Sequence, residues 1–399
     1  MIARGLELAL RGLLAPGVVA GRLVARVGSA AEDAGPVAPA SLGLTAKIAL
    51  DEAFFLTETL SARLVSVRDR GRLAAELADA EALFAERGWL ADPASYHRRP
   101  LPLRGARLVP GRARGLAFTA LAAPSEYEPH AGEPGRDRWL GYAANRTAHA
   151  WLLRHPGPER PWLVCVPAYR MGFPLADFLA FPVAWMHRAL GLNVAIPVMP
   201  LHGPRRVGWR TGDGCISGDF LDSVHMAAQG VWDVRRLVDW LRAEGAPAVG
   251  VYGLSLGGHT ATLLAALEPD LACVVAGIAP VCYLGLARWN LPWPICAVAE
   301  RLGFIDARLA GVLRVISPLA MPPRVPRGRR WLYAAMADRL VPRRQTLDLW
   351  EHWGRPRIAW YPGTHVSFGW EAEVRALLVE AFAGGGLIPS AHPAAAATR

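Results

Sequence analysis

The sequence predicts an α/β fold with a mostly parallel, doubly wound sheet and flanking helices, and three observations support this prediction. From Trp162 onward, short apolar β-prone runs alternate with helical patterns, at the spacing of parallel βαβ units. One of these runs, residues 249–252, leads through Gly253-Leu-Ser-Leu-Gly257 into a helical stretch, and strand, sharp glycine turn and helix form the context of a nucleophile elbow. The 399 residues, 52% of them hydrophobic, can bury one large core and carry an appendage.

Residues 1–105 are predicted to form a helical region that packs on the main domain. Apolar stripes at helical spacing run through residues 2–14, 45–65 and 72–87. In the second helix, the predicted apolar face consists of Leu50, Ala53, Leu60 and Leu64, and the predicted polar face of Lys47, Asp51 and Glu58. The region shows no chemistry, so we expect a structural appendage. The alternative is that the first helix makes peripheral contact with a membrane surface.

The main domain is predicted to span residues 106–388, with a disordered tail over 389–399. It opens with two strands that we expect to pair antiparallel at a sheet edge, at 116–122 and 147–154. Further strands are predicted at 162–166, 193–198, 249–252, 273–278, 331–336 and 357–361. Helices are predicted at 175–190, 223–243, 260–267 and 373–383.

Residues 281–330 form an insertion rich in Trp, Pro and Leu. A segment of this length exceeds a simple crossover, so we expect a small lid here, with Trp289 and Trp293 as substrate contacts. An apolar lid would suit an acyl chain or another apolar ester. The alternative is an ordinary connecting helix with apolar packing.

Composition limits the partners. The net charge is +10, but Lys47 is the only lysine, and the arginines occur in scattered pairs. Compositional bias therefore explains the charge better than nucleic-acid binding does, while weak attraction to an anionic membrane surface stays open. Five cysteines without a C-x-x-C motif indicate a reducing, cytoplasmic compartment. No metal or phosphate-binding motif occurs, so no cofactor is expected.

Ser255 at the centre of the glycine turn is the candidate nucleophile. In a sheet of this kind, an acid and a histidine should follow later in the chain, each just after a strand. Asp338 follows the strand predicted at 331–336, and His365 follows the one at 357–361. His365 would accept the serine proton, and Asp338 would fix the imidazole tautomer and stabilise the imidazolium.

These motifs resemble those of the α/β-hydrolase fold superfamily, over about residues 115–385. The resemblance rests on Gly253-Leu-Ser-Leu-Gly257, on Asp338 followed by Val341-Pro342, and on Gly363-Thr-His365, in the order of that family. It implies a serine hydrolase that acts through an acyl-enzyme. Residues 200–258 resemble, more faintly, lipid-directed abhydrolase-domain proteins related to cardiolipin deacylases.

The oxyanion hole departs from the commonest pattern of that superfamily. The Leu256 N–H should be one donor, and the loop after strand 162–166 should supply the second. Where many members carry His-Gly, this chain has Pro167-Ala-Tyr-Arg. Ala168 and Tyr169 are the candidates, since Pro167 has no N–H, and Tyr169 offers its hydroxyl as well.

Other histidines are weaker candidates. We predict that His202 lines the pocket or is an ordinary loop residue, that His259 packs beneath the site, and that His187 and His225 are structural.

The sequence therefore predicts a serine carboxylic-ester hydrolase acting on a small-molecule ester or lipid. Acyl transfer and amide or thioester hydrolysis use the same residues and stay open. The alternative from another class is a non-catalytic binding protein that has kept the fold.

Overall fold

A computed structural model of the protein describes residues 35–61, 69–215, 219–290, 293–301, 303 and 305–390. The predicted first helix, residues 62–65 of the second and residues 391–399 of the tail lie outside the described residues. Within these ranges nine strands form one sheet: β1 (Arg107–Ala113), β2 (Leu116–Pro124), β3 (Thr147–Leu153), β4 (Trp162–Val166), β5 (Asn193–Pro197), β6 (Val249–Leu254), β7 (Val274–Gly277), β8 (Arg330–Ala335) and β9 (Arg357–Tyr361).

The strand order is β1-β2-β3-β5-β4-β6-β7-β8-β9. Strands β4 to β9 are parallel to one another. The first three strands form the antiparallel part of the sheet, in which β1 pairs with β2, β2 with β3, and β3 with β5. This topology confirms the predicted α/β-hydrolase fold. The edge strand β1 was not predicted, because Pro110 and Gly111 weaken its strand signal and most of its residues are exposed.

The helices are α1 (Leu42–Ser61), α2 (Arg70–Glu86), α3 (Arg136–Leu140), α4 (Pro174–Ala180), α5 (Phe220–Ala243), α6 (Leu256–Leu267), α7 (Tyr283–Asn290), α8 (Trp293–Arg301), α9 (Ala307–Val312), α10 (Arg343–His352) and α11 (Ala372–Gly384). The core on one face of the sheet includes residues of α4 and α11, and the core on the other face includes residues of α5, α6 and α10. None of the helices in the described part combines the length and apolar composition needed to cross a membrane.

The helical appendage is present, but α1 docks in the orientation opposite to the predicted one. Leu50, on the predicted apolar face, is 49% exposed, whereas Asp51, on the predicted polar face, is fully buried. Lys47 and Glu58 also point toward the domain, where they pair with Glu371 and Arg170. Helix α2, predicted at residues 72–87, packs its apolar side chains against α5 and α9.

The sheet reverses its winding at β4, which lies between β5 on one side and β6 on the other. The chain passes from β4 to β5 and then crosses back to β6, so the loops that leave β4 and β6 diverge. Ligands of open α/β sheets bind in the crevice formed at such a point, beyond the carboxyl ends of the strands. The candidate nucleophile lies there, because Ser255 directly follows β6.

Candidate active site

The turn that carries Ser255 is strained and leaves no room for side chains on either flank. Ser255 has φ 53° and ψ −111°, outside the regions that L-residues prefer. A Cβ at Gly253 would lie 2.0 Å from the Gly257 carbonyl oxygen, and a Cβ at Gly257 would lie 1.9 Å from the Val166 oxygen. The Ser255 N–H donates to the Gly277 oxygen at 2.9 Å, which ties the turn to β7. The glycines therefore allow the tight turn that presents the serine.

Helix α6 begins at Leu256, four residues before the predicted start at residue 260. Gly257 and Gly258 weaken the helical signal of this turn, yet both lie within the helix. The early start places the Leu256 N–H among the first amides of the helix, which have no acceptor inside it.

The structure brings Ser255, His365 and Asp338 together. The Ser255 hydroxyl lies 2.9 Å from His365 Nε2, and His365 Nδ1 lies 2.8 Å from Asp338 Oδ2. A carboxylate only accepts hydrogen bonds, so Nδ1 carries the hydrogen and Nε2 is free to accept the serine proton. Ser255 is half-buried, and the other two residues are buried.

The charge on His365 is favoured by its surroundings. Burial alone lowers the pKa of His365, but the carboxylates of Asp338 and Asp51 outweigh it, and the net pKa is raised above its usual value. The second oxygen of Asp338 accepts the backbone N–H groups of Leu340 and Val341, both at 2.8 Å. The aspartate is thus held in place from both sides.

Asp51 is a residue of the site that sequence reasoning missed. Its carboxylate accepts the backbone N–H groups of His365 and Val366 at 3.0 Å and that of Arg339 at 3.1 Å. Burial and repulsion by Asp338 raise the pKa of Asp51. The available signal was an acidic residue on α1, but Asp51 and His365 are 314 residues apart in the chain, and helical periodicity placed Asp51 on the solvent side.

The loop after β4 holds the two candidate residues for the second oxyanion donor. The Ala168 N–H points to Met171 Sδ at 3.2 Å, and a thioether is a weak acceptor. The Tyr169 hydroxyl donates instead to Glu58 Oε2 at 3.1 Å. The next residue, Arg170, has φ 70° and pairs with Glu58 and Asp213, each at 2.7 Å. Helix α1 therefore anchors this loop as well.

His202 is 1% exposed, so it has no open face toward a substrate. Its Nδ1 donates to the Pro200 oxygen at 2.8 Å, and its ring meets the Tyr169 ring edge-on. His202 thus supports the loop after β4 from behind.

Three further histidines donate to backbone carbonyls: His259 to Pro280, His225 to Pro134 and His187 to Leu192. Trp289 is half-buried near the end of α7, where the neighbouring Asn290 donates to the Leu340 oxygen in the loop of Asp338. The side chain of Trp293 lies outside the described residues. Among the side chains that are described, no three of His, Cys, Asp and Glu converge as metal ligands would.

Two relatives establish the family. The chain is 40% identical over 363 residues to uncharacterized protein MT2702 of Mycobacterium tuberculosis (strain CDC 1551 / Oshkosh), covering 88% of this chain and 85% of that protein. It is 39% identical, with the same coverage, to uncharacterized protein Rv2627c of M. tuberculosis (strain ATCC 25618 / H37Rv). The chain belongs to the family of these mycobacterial proteins. Their names carry no activity, and no established family model matches the chain.

Among solved structures, acetyl xylan esterase 1 from Thermoanaerobacterium sp. JW/SL YS485 is similar, with a TM-score of 0.49 and 16% sequence identity. The match covers 70% of this chain and 87% of the esterase. With so little sequence identity to this esterase, the function of the present protein depends on the geometry of its own site.

Proposed function

We propose that the protein is a serine hydrolase that cleaves carboxylic esters with an apolar acyl group. The observation that carries the proposal is the chain of two hydrogen bonds from Ser255 through His365 to Asp338, at 2.9 and 2.8 Å, on a strained turn beyond a central strand. A serine hydroxyl needs such a base, because it is a weak nucleophile at neutral pH.

The reaction follows from this geometry. Ser255 Oγ attacks the ester carbonyl carbon as its proton passes to His365 Nε2, and a tetrahedral intermediate forms. The imidazolium, stabilised by Asp338, returns the proton to the leaving alcohol oxygen as the C–O bond breaks, which leaves an acyl-serine. Water then attacks the acyl carbon as it gives a proton to His365 Nε2. The bond from the acyl carbon to Ser255 Oγ breaks, His365 returns the proton to Oγ, and the acid is released with the serine restored.

The developing oxyanion needs two aligned donors. The Leu256 N–H is the first, at the start of α6. We assign the second to the Ala168 N–H, because an oxyanion is a far stronger acceptor than the Met171 sulfur that this N–H now faces. The Tyr169 hydroxyl is the weaker candidate, since it is committed to Glu58.

We infer the preference for an apolar acyl group from a cavity of about 190 Å³ in the segment after β7, whose lining does not include Ser255, His365 or Asp338. It is lined mainly by apolar side chains and backbone, including those of Val281, Leu284, Leu313 and Leu319. This segment follows the carboxyl end of β7, next to the strand that carries Ser255. An alkyl chain fits such surroundings better than a charged acyl group does.

Labelling with a fluorophosphonate probe tests the nucleophile. We expect the native protein and the control variant Ser95→Ala to be labelled, and Ser255→Ala to remain unlabelled, because the probe reacts only with an activated serine. Ser95 is an exposed serine whose hydroxyl donates to the Asp92 carbonyl oxygen. Labelling of Ser255→Ala, or none of the native protein, would contradict the proposal.

Turnover of p-nitrophenyl esters from acetyl to palmitoyl then tests the acyl preference. We expect kcat/KM to rise with chain length beyond acetyl. A labelled protein that hydrolyses none of these esters would favour acyl transfer or amide hydrolysis, because these reactions share the acyl-enzyme and differ in donor or acceptor.

A further inference from the structure

Helix α1 docks on the site through charged side chains. Lys47, Asp51 and Glu58 lie at helical spacing on one face of α1, and each contacts a different part of the domain. Lys47 pairs with Glu371 at 2.6 Å, and Glu58 pairs with Arg170 at 2.7 Å. Between these two anchors, Asp51 reaches the loops after β8 and β9.

The contacts of Asp51 differ in kind from those of Lys47 and Glu58. Asp51 has no exposed surface, and its partners are three backbone N–H groups, not a cation. One oxygen accepts the N–H groups of Arg339 and His365, and the other accepts that of Val366. The carboxylate thus joins the residue after Asp338 to His365 itself, two backbone segments that belong to different loops.

A buried carboxylate without a paired cation is costly, so its position calls for an explanation. The cationic side chain of Arg339 is directed to the neighbouring Glu52, at 3.0 Å. The imidazole of His365, whose backbone N–H the Asp51 carboxylate accepts, becomes positive when it is protonated. The other titratable groups around it are Asp338, Tyr361, and the Lys47–Glu371 pair.

We propose that Asp51 is a positioning residue of the active site, which holds the loops of Asp338 and His365 in register and stabilises the imidazolium of His365 from the backbone side. This inference rests on the proposed function for its catalytic meaning. Asp51 touches no reacting atom, and it acts through His365. The consequence is that the helical appendage supplies a part of the catalytic machinery.

The test compares Asp51→Asn with Glu52→Gln. Both changes replace a carboxylate by its amide on α1, one residue apart, but only Asp51 bonds the His365 loop. The pKa of His365 is read from its imidazole proton resonance by NMR, assigned with His365→Gln. This pKa measurement needs no turnover, so it tests the role of Asp51 even if the protein shows no hydrolase activity.

Asp51→Asn should lower the pKa of His365, because a negative charge that favours the imidazolium is lost. In an active enzyme the acid limb of the kcat/KM profile should move to lower pH, and the plateau should fall about tenfold or more, as expected when supporting groups shift a catalytic residue. Glu52→Gln should leave both the pKa and the acid limb in place. A native His365 pKa in Asp51→Asn, or an equal shift in Glu52→Gln, would overturn the inference.

Asp51→Glu keeps the test sharp if Asp51→Asn does not fold. It retains the charge but displaces the carboxylate by one methylene, so the pKa of His365 should stay raised while kcat falls. Native kcat in a folded Asp51→Glu protein would show that the three hydrogen bonds position nothing.

Discussion

At the scale of single residues, Asp338 shows how hydrogen bonds dictate residue type. Oδ1 accepts two backbone N–H groups, and Oδ2 accepts the His365 Nδ1 hydrogen. An asparagine would keep its oxygen on the two backbone donors and would turn its NH₂ toward His365. Nδ1 would then have to accept, so the hydrogen would move to Nε2, and the imidazole could no longer take the serine proton.

Asp338→Asn should therefore reduce kcat by roughly 10⁴, the loss seen when a triad histidine is held in the wrong tautomer. The fold should survive, because the shape of the side chain and its two backbone bonds are kept. Ester turnover and thermal unfolding measure the two effects. Asp348→Asn on exposed α10 is the control, and it should retain native kcat. Native activity in Asp338→Asn would move the acid to another residue.

Of the three residues that the sequence singled out, His365 lies within hydrogen-bonding distance of both Ser255 and Asp338. Their positions could be predicted because strand ends meet at one edge of a parallel sheet and can be located from local patterns. Asp51 could not be found in this way. Its partners are backbone N–H groups, which leave no mark in the sequence, and they lie about 300 residues away along the chain. The proposed assignment of Ala168 over Tyr169 likewise rests on what each donor faces in space.

At the scale of elements, strands β2 to β9 lie close to the predicted apolar runs, whereas the docked face of α1 is not its apolar face. Burial on both faces gives parallel strands continuous apolar runs, which are easy to recognise. Periodicity assumes that the apolar face of a helix is the docked face. Helix α1 instead docks on strand-end loops rich in backbone N–H groups and arginines, so its carboxylates face inward and Leu50 faces out.

Helix α5 also contacts its surroundings through charged side chains. Arg235-Arg236 is one of the scattered arginine pairs of the sequence, and both side chains are buried. Arg235 pairs with Glu268 at 2.6 Å. Arg236 donates to the carbonyl oxygens of residues 101, 102, 124 and 125 and pairs with Glu126. The guanidinium thus joins α5 to the segments before β1 and after β2.

Arg236→Lys should lower the free energy of unfolding by about 2–4 kcal/mol, because an ammonium has three donors and lacks the planar fork that reaches these acceptors. Urea unfolding at neutral pH measures the change. Arg344→Lys, on the exposed surface of α10, is the matched control, and its effect should stay within about 0.5 kcal/mol. Equal stability of the two variants would mean that Arg236 contributes charge alone.

At the scale of the whole molecule, the site depends on distant parts of the chain. Ser255 lies where the sheet reverses its winding, after β6. Asp338 follows β8 and His365 follows β9. Helix α1, from the amino-terminal region, reaches the same site through Asp51. The same packing buries histidines away from the site. Burial lowers the pKa of His202 and of His259 to about 4, and those of the half-buried His97 and His149 to about 4 as well.

These four histidines predict acid sensitivity of the fold. Each is neutral in the folded protein down to about pH 4 but takes a proton near pH 6.5 when unfolded. The unfolded state therefore binds more protons between these values, and stability falls as the pH falls through this window. Asp177 has the opposite sign, because burial raises its pKa to about 6 and the folded state holds its proton. His365, Asp51, Asp222 and Asp233 also have raised pKa values and share the sign of Asp177, whereas the pKa values of His130, His187 and His225 are lowered. Seven histidines thus oppose five groups of the other sign, so acidification should destabilise.

The melting temperature should therefore decrease steadily between about pH 6.5 and pH 4.5, as measured by differential scanning fluorimetry. His202→Gln retains a side-chain donor for the Pro200 oxygen but cannot titrate, so its melting temperature should depend less steeply on pH than that of the native protein. The reduction should correspond to about 1.4 kcal/mol per pH unit, the contribution of one proton. If His202→Gln and the native protein show the same slope, His202 is already protonated in the fold, and its burial behind Tyr169 does not keep it neutral.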